Sequence, residues 1–241
     1  MPRLPQPVLA RSPRRLMRAL PAIALVALFA AALPGQAHDL SAANAAFVQG
    51  LQGAATGPFL YLGAKHMVTG ADHLLFLLGV IFFLYRGRDI LLYVTLFTLG
   101  HSLTLVLGVW AQWQVNAHLV DAIIGLSVVY KAFENMGGFK RVFGVAPDTR
   151  IAVFVFGLFH GLGLATKLQG LVGDDGLLRN LLSFNLGVEL GQALALGLLL
   201  ALLLGWRARP RFAQQAFGAN AVLMCAGFVL AGNQFAGYLF S

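Results

Sequence analysis

The chain has 241 residues, 59% of them hydrophobic and only 11% charged, and its mean hydropathy is +0.77. A soluble domain carries roughly 25% charged residues, so this composition excludes a water-soluble globular enzyme and a disordered tail and points to a multi-span membrane protein. The single cysteine, Cys225, excludes an intrachain disulfide and a thiolate metal cluster. The net charge of +8 is no nucleic-acid signal, because Arg3, Arg11, Arg14, Arg15 and Arg18 crowd the first 37 residues without an acid. The rest of the chain holds 12 basic and nine acidic residues and no basic run interleaved with aromatics.

In chain order, Arg11 to Arg18 form a basic segment and Ala19 to Leu33 an apolar one. Pro34-Gly35-Gln36-Ala37 then places small residues where a signal peptidase cuts. This pattern predicts a cleavable secretory signal peptide over 1–37, with His38-Asp39 at the mature amino terminus. Residues 38–65 read as a periplasmic or interfacial segment; within it, 42–64 is Gly-rich and moderately apolar, an interfacial helix or a longer start to the first span. Residues 66–241 read as an all-α domain of six transmembrane helices near 66–86, 90–111, 117–136, 151–170, 180–205 and 216–240, since a ~30 Å hydrocarbon core needs about 20 apolar residues. The 28 glycines, about 12% of the chain against the usual ~7%, suit helices that approach closely in lipid.

The short connections orient these spans. Arg86 and Arg88, Lys140, Arg141 and Arg150, and Arg207, Arg209 and Arg211 fall in alternate loops; the loops between them hold only Arg179, beside Asp174 and Asp175. The positive-inside rule puts the three basic loops in the cytoplasm of a bacterium and both mature termini in the periplasm. The expected location is the inner membrane, multi-pass, with the lipid bilayer as the surrounding partner and a homo-oligomer compatible with the pattern.

The chemistry lies in polar residues inside the spans, because an Asp at a helix centre costs roughly 2.5–3.5 kcal/mol on insertion scales. The first span has His66, Asp72 and His73 in KHMVTGADHLLFLL, and the second has His101 in FTLGHSLTLVLG. The fourth has His160 in FGLFHGLGLA, and the fifth has Asn185, Glu189 and Gln192 in SFNLGVELGQ. At 1.5 Å per residue, Glu189 sits about 14 Å in from the outer face, His160 about 14 Å and His101 about 16 Å in from the inner face, and Asp72 and His73 about 9–11 Å below the outer face. Four helices thus offer imidazole or carboxylate groups between the midplane and the outer third. His66 and His73, two turns apart, share a face; Thr69-Gly70-Ala71-Asp72 reads as a kink or a helix break with Asp72 near the cap, the kind of discontinuity that lines transporter sites. Asn185, Glu189 and Gln192 at i, i+4 and i+7 form one stripe. Gly157, Gly161 and Gly163 around His160 let a neighbouring helix approach. Nitrogen and oxygen donors without thiolate suit Ni²⁺, Co²⁺, Zn²⁺ or Fe²⁺ and disfavour Cu⁺. Glu134 and Asn135, beside Lys131, read as an interfacial cap or ion pair, Asp174-Asp175 as a solvated turn, His118 as a loop residue, and Met67 and Met224 as packing.

KHMVTGADHLLFLL, FTLGHSLTL, FGLFHGLGLA and FNLGVELGQ, in this order and with YKAFEN at 130–135, resemble the HupE/UreJ family, membrane proteins associated with hydrogenase and urease maturation. The resemblance runs from about Gly63 to Gln192. It implies a secondary permease for nickel, with cobalt as a second ion. It also implies that His66, Asp72 and His73 are the first-span metal motif, with His160 and Glu189 as further functional positions. A looser likeness to the larger nickel/cobalt transporters differs in spacing: five residues, Met67 to Ala71, separate His66 from Asp72-His73 where that signature has four.

The reading that follows is a divalent-cation permease working from periplasm to cytoplasm, with metal ligands His66, Asp72, His73, His101, His160, Asn185 and Glu189 and no tightly bound cofactor. No phosphate-binding Gly-x4-Gly-Lys-Ser/Thr loop is present. The membrane potential can supply the drive, at about 2.3 kcal/mol per charge per 100 mV or roughly 4.6 kcal/mol for a dication. Two alternatives remain at this stage. One is an intramembrane zinc-dependent hydrolase in which three His, an Asp and a Ser hold Zn²⁺ and activate water, with Ser102 next to His101 as the serine; the other is a metal-binding sensor or scaffold subunit. Below Glu189 the fifth span shows no ionisable group before Trp206, so the inner half of a transport path is not visible in the sequence.

Overall fold

The computed structural model describes residues 55–169 and 176–240; the expected signal peptide, His38 and the Asp174-Asp175 turn lie outside them. The described residues form eight helices and no strand. They are α1 (Thr56–Thr69), α2 (Ala71–Ile81), α3 (Gly87–Trp110), α4 (Ala117–Asn135), α5 (Gly138–Phe143), α6 (Thr149–Leu168), α7 (Leu177–Arg207) and α8 (Phe212–Phe240). Four of them, α3, α6, α7 and α8, are long and apolar enough to cross a membrane. α4 is nearly as long but carries Asp121, Lys131 and Glu134 within its 19 residues.

The first expected span takes the longer start and the break that the sequence left open. Its helix begins at Thr56 rather than 66, and it is interrupted within Thr69-Gly70-Ala71-Asp72: α1 ends at Thr69 and α2 starts at Ala71. Gly70, at φ −70° and ψ 104°, serves both ends. Its N–H donates to the His66 carbonyl, closing α1, and its carbonyl accepts from Leu74 N–H, opening α2. The need for glycine here is steric, since any residue can adopt this φ. A Cβ at 70 would stand 2.9 Å from His73 Nδ1 and 3.0 Å from the His66 carbonyl oxygen.

The helices associate as three close pairs, each seated on glycine. In α1 and α7, a Cβ at Gly63 would strike the Phe184 carbonyl, and one at Gly187 the Leu60 carbonyl. In α3 and α6, Gly157 and Gly161 press on the carbonyls of Phe97 and His101, while Thr104 Oγ1 donates to the Leu158 carbonyl at 2.6 Å. In α4 and α8, Gly125 meets the backbone of Ala231 and Gly227 meets that of Val129. Small residues let backbones reach van der Waals contact where lipid removes the usual hydrophobic drive.

The contacts also fix direction. Ala55 meets Asn180 and Ala64 meets Gly191, so α1 runs parallel to α7. Phe97 meets Gly157 and Gly108 meets Ala165, so α3 and α6 are parallel. His118 meets Gln234 and Asn135 meets Asn220, so α4 and α8 are antiparallel.

Between these pairs lies α2, buried along nearly its whole length from Ala71 to Ile81. Its far end is held by Arg207 at the end of α7: the guanidinium donates to the carbonyls of Ile81, Phe82 (2.7 Å) and Leu84 (2.8 Å) and stacks 4.4 Å over Tyr85. Carbonyls at a helix C-terminus have no intrahelical donor and attract a cation. Because Ala55 meets Asn180 and Leu84 meets Arg207, α1 and α2 together run the length of α7, about 46 Å for its 31 residues.

Candidate metal centre

The break at Gly70 places the first turn of α2 inside the helix assembly. Asp72 and His73 stand there, 2% and 0% exposed. His73 Nδ1 donates to Asp72 Oδ1 at 3.0 Å. A carboxylate on one imidazole nitrogen fixes the tautomer and makes the other nitrogen the basic one, the arrangement that prepares histidine for a metal. Asp72 also supplies negative charge at the positive end of the helix dipole.

Three further imidazoles surround this pair. His66, in the last turn of α1, lies edge-on to His73 with ring centroids 4.9 Å apart. His101 of α3 is 5.9 Å away and His160 of α6 is 4.9 Å away. One nitrogen from each of His66, His73 and His101 lies within 4.8 Å of the other two, a spacing that a single ion can bridge with small side-chain adjustments. His160 is completed differently. Its Nδ1 donates to the Phe156 carbonyl at 2.8 Å, and its buried Nε2 has no hydrogen-bond partner among the described residues. A buried ring nitrogen left as a lone pair is costly unless something binds it.

Helix direction stacks this layer. One turn further along toward the Arg207 end, Phe76 follows His73 on α2, Phe97 precedes His101 on α3 and Phe156 precedes His160 on α6. Their rings form an aromatic floor: Phe76 lies 5.4 Å from Phe97 and 5.8 Å from Phe156, and Phe97 is 5.0 Å from His160. Phe184 closes on His66 at 6.2 Å.

The fifth-span stripe divides. Asn185 accepts from Ser102 Oγ at 3.2 Å, next to His101, and Gln192 accepts from Thr98 Oγ1 at 3.0 Å. These bonds tie α7 to α3 and occupy the Ser102 hydroxyl. Glu189 is exposed and does not join the histidines. The buried face of α7 is set by Phe184, Gly187, Val188, Gly191 and Ala195, and Glu189 lies about 100° from Val188 at 100° per residue. Asn185 and Gln192 fall just inside the edge of that face and Glu189 just outside it.

Among the described residues two further ion pairs involve α4, and only one was anticipated. Lys131 Nζ bonds Glu134 Oε2 at 2.8 Å, Glu134 also accepts from Thr149 Oγ1, and Asn135 Nδ2 donates to the Gly79 carbonyl and to Asn220; this bears out the ion-pair reading of Glu134. The other, Lys167 of α6 with Asp121 of α4 at 2.8 Å, was not singled out from sequence. Its signal was an aspartate in the apolar run LVDAIIGL. Met67 is fully buried and Met224 packs on the core, as expected. His118 lies in the first turn of α4, bonded to Gln234 at 2.9 Å.

A family described as HupE / UreJ protein matches the chain over residues 42–241, most of its length and all of the helical assembly. No curated protein and no solved structure matches it.

Proposed function

The chain belongs to the HupE/UreJ family of membrane accessory proteins, which are associated with metal transport and are not a family of enzymes, and on that premise we propose that it is a secondary permease. It carries a divalent transition-metal cation, nickel first and cobalt second, from periplasm to cytoplasm to supply hydrogenase or urease. The observation that carries this reading is the convergence of His66, Asp72, His73, His101 and His160, from four helices, on one buried point.

The cation leaves part of its water shell among these groups. Neutral imidazoles give exchangeable bonds, and the Asp72 carboxylate offsets charge that hydrocarbon would otherwise reject. Asn185 holds α3 and α7 in register beside His101 through Ser102. Glu189, on the exposed face of α7, acts outside this centre. The aromatic floor of Phe76, Phe97 and Phe156 separates the centre from the Arg207 end and must part for release. In this reading α1 and α2 form one broken span and α4 another, giving six with α3, α6, α7 and α8. The Arg207 end of α2 is cytoplasmic.

The test is uptake of radioactive nickel into proteoliposomes holding the purified protein, with cobalt and zinc as competitors. The expected result is uptake that a membrane potential drives and that His73→Ala removes. Equal flux into empty vesicles and into vesicles holding the protein would refute it. Cytoplasmic reporters fused after Arg88 are expected to be active and those fused after Asp175 inactive; the reverse pattern would invert the orientation.

A further inference from the structure

The Asp121–Lys167 pair lies near the start of α4 and the end of α6, beyond the histidine centre along α6. Asp121 is 5% exposed and its pair to Lys167 joins α4 to α6 across 2.8 Å. Lys167 is two turns beyond His160 on the same face of α6, about 10 Å along the axis. Gly163 lies between them, and a Cβ there would stand 3.1 Å from Asp121 Oδ1. The carboxylate is therefore applied to bare backbone about one turn beyond His160. Lys167 ends a flexible four-carbon stem near the end of α6 at Leu168, and it is the more exposed partner, at 18%.

We propose that Asp121 is an outer cation station of the transport path and that the Lys167 ammonium is its tethered occupant, displaced when a divalent cation arrives. This rests on the permease reading and deepens it. The charges support the exchange. The Asp121 carboxylate and the Lys167 ammonium cancel, so before a cation arrives the station keeps a neutralised carboxylate, which avoids the cost of an unpaired buried charge. A dication that takes Asp121 recovers what the ammonium loses, because Lys167 sits at a helix end where its stem can carry the charge back to water. A monovalent ion brings no more charge than the lysine it must replace. Lys167 in this way selects for double charge before the imidazoles select for metal type.

A structural ion pair and a cation station differ in what removal of the lysine does. Radioactive nickel binding is measured by equilibrium dialysis on the purified protein and on Lys167→Met, with thermal melting of each. The expected result is that an Asp121-dependent equivalent, filled in the wild type only at high nickel, fills at roughly tenfold lower nickel in Lys167→Met. That equivalent survives His73→Ala and disappears in Asp121→Asn/Lys167→Met. In proteoliposomes Lys167→Met shows a KM for nickel lowered by roughly tenfold together with a reduced kcat, because an ion held without a competitor is released slowly. A folded Lys167→Met with the wild-type binding curve, or a tightened equivalent that persists without Asp121, overturns the proposal. If Lys167→Met does not fold, acetylation of Lys167 in the wild-type protein decides. Saturating nickel is expected to raise it severalfold, and unchanged labelling overturns the proposal. Failure of the permease reading appears separately, as no uptake by the wild type, and leaves the Asp121-dependent equivalent to be read on its own.

Discussion

Helices α1 and α2 are two halves of one expected span, yet they are built for different tasks. α1 touches the rest of the protein along one side, with Phe59, Leu62, Gly63 and Met67 buried against α7 and Tyr61 left outside. α2 is buried on every side and is the only one of the two to carry a carboxylate–imidazole pair. Gly70 separates them, and each half ends on a fixed anchor: the Ala55 N–H on Asn180 at one end and the Arg207 guanidinium on three carbonyls at the other. The lesson is that the polar groups are tolerated inside because the helix carrying them begins there. The start of α2 turns the positive end of its dipole toward the Asp72 carboxylate, which the middle of a continuous helix would not do.

The comparison can be broken most severely at the pair itself. Asp72→Asn is expected to leave the protein inserted and folded but to lower nickel uptake by about 100-fold, since a neutral amide neither offsets the cation nor raises His73 basicity. Uptake within twofold of wild type would remove Asp72 from the mechanism. Gly70→Ala comes next. The added Cβ crowds His73 Nδ1 and Asp72 Oδ1, so nickel affinity measured by dialysis should fall about tenfold with little change in melting; full affinity would mean that the break has slack. Arg207→Met acts at the other end of α2, taking guanidinium bonds from the Ile81, Phe82 and Leu84 carbonyls. A loss of about 3 kcal/mol is expected, read in the melting of detergent-solubilised protein, and an unchanged melting point would mean that the α2 end does not depend on the clamp. The smallest effect is expected at Glu189→Gln. Uptake should stay within about twofold of wild type and match that of Leu194→Ala, because both side chains are exposed on α7. A loss as deep as that of Asp72→Asn would bring Glu189 back to the path.

Much of this was legible in the sequence. The later helices lie within a few residues of the expected ranges, and the four histidines and Asp72 come together in one cluster. The discontinuity at Thr69-Gly70-Ala71-Asp72 is real. Three features were not legible, each for a physical reason. The start of α1 is Gly-rich and only half apolar, so hydropathy alone sets no boundary at Thr56. The stripe of Asn185, Glu189 and Gln192 spans an arc wide enough to cross the edge of a buried face, and only the glycine contacts with α1 decide where that edge falls. Asp121 and Lys167 lie 46 positions apart, and their pairing requires that α4 and α6 run side by side in opposite directions. Arg207 likewise reads as a loop charge until α7 is seen to end beside α2.

The most direct test of the central claim is X-ray absorption at the nickel edge on purified protein loaded with one equivalent. The account predicts a first shell of nitrogen and oxygen only, with multiple scattering from at least three imidazoles that drops in His73→Ala. A spectrum without imidazole scattering, or one that His73→Ala leaves unchanged, would contradict the assignment of this buried centre as the place where the metal binds.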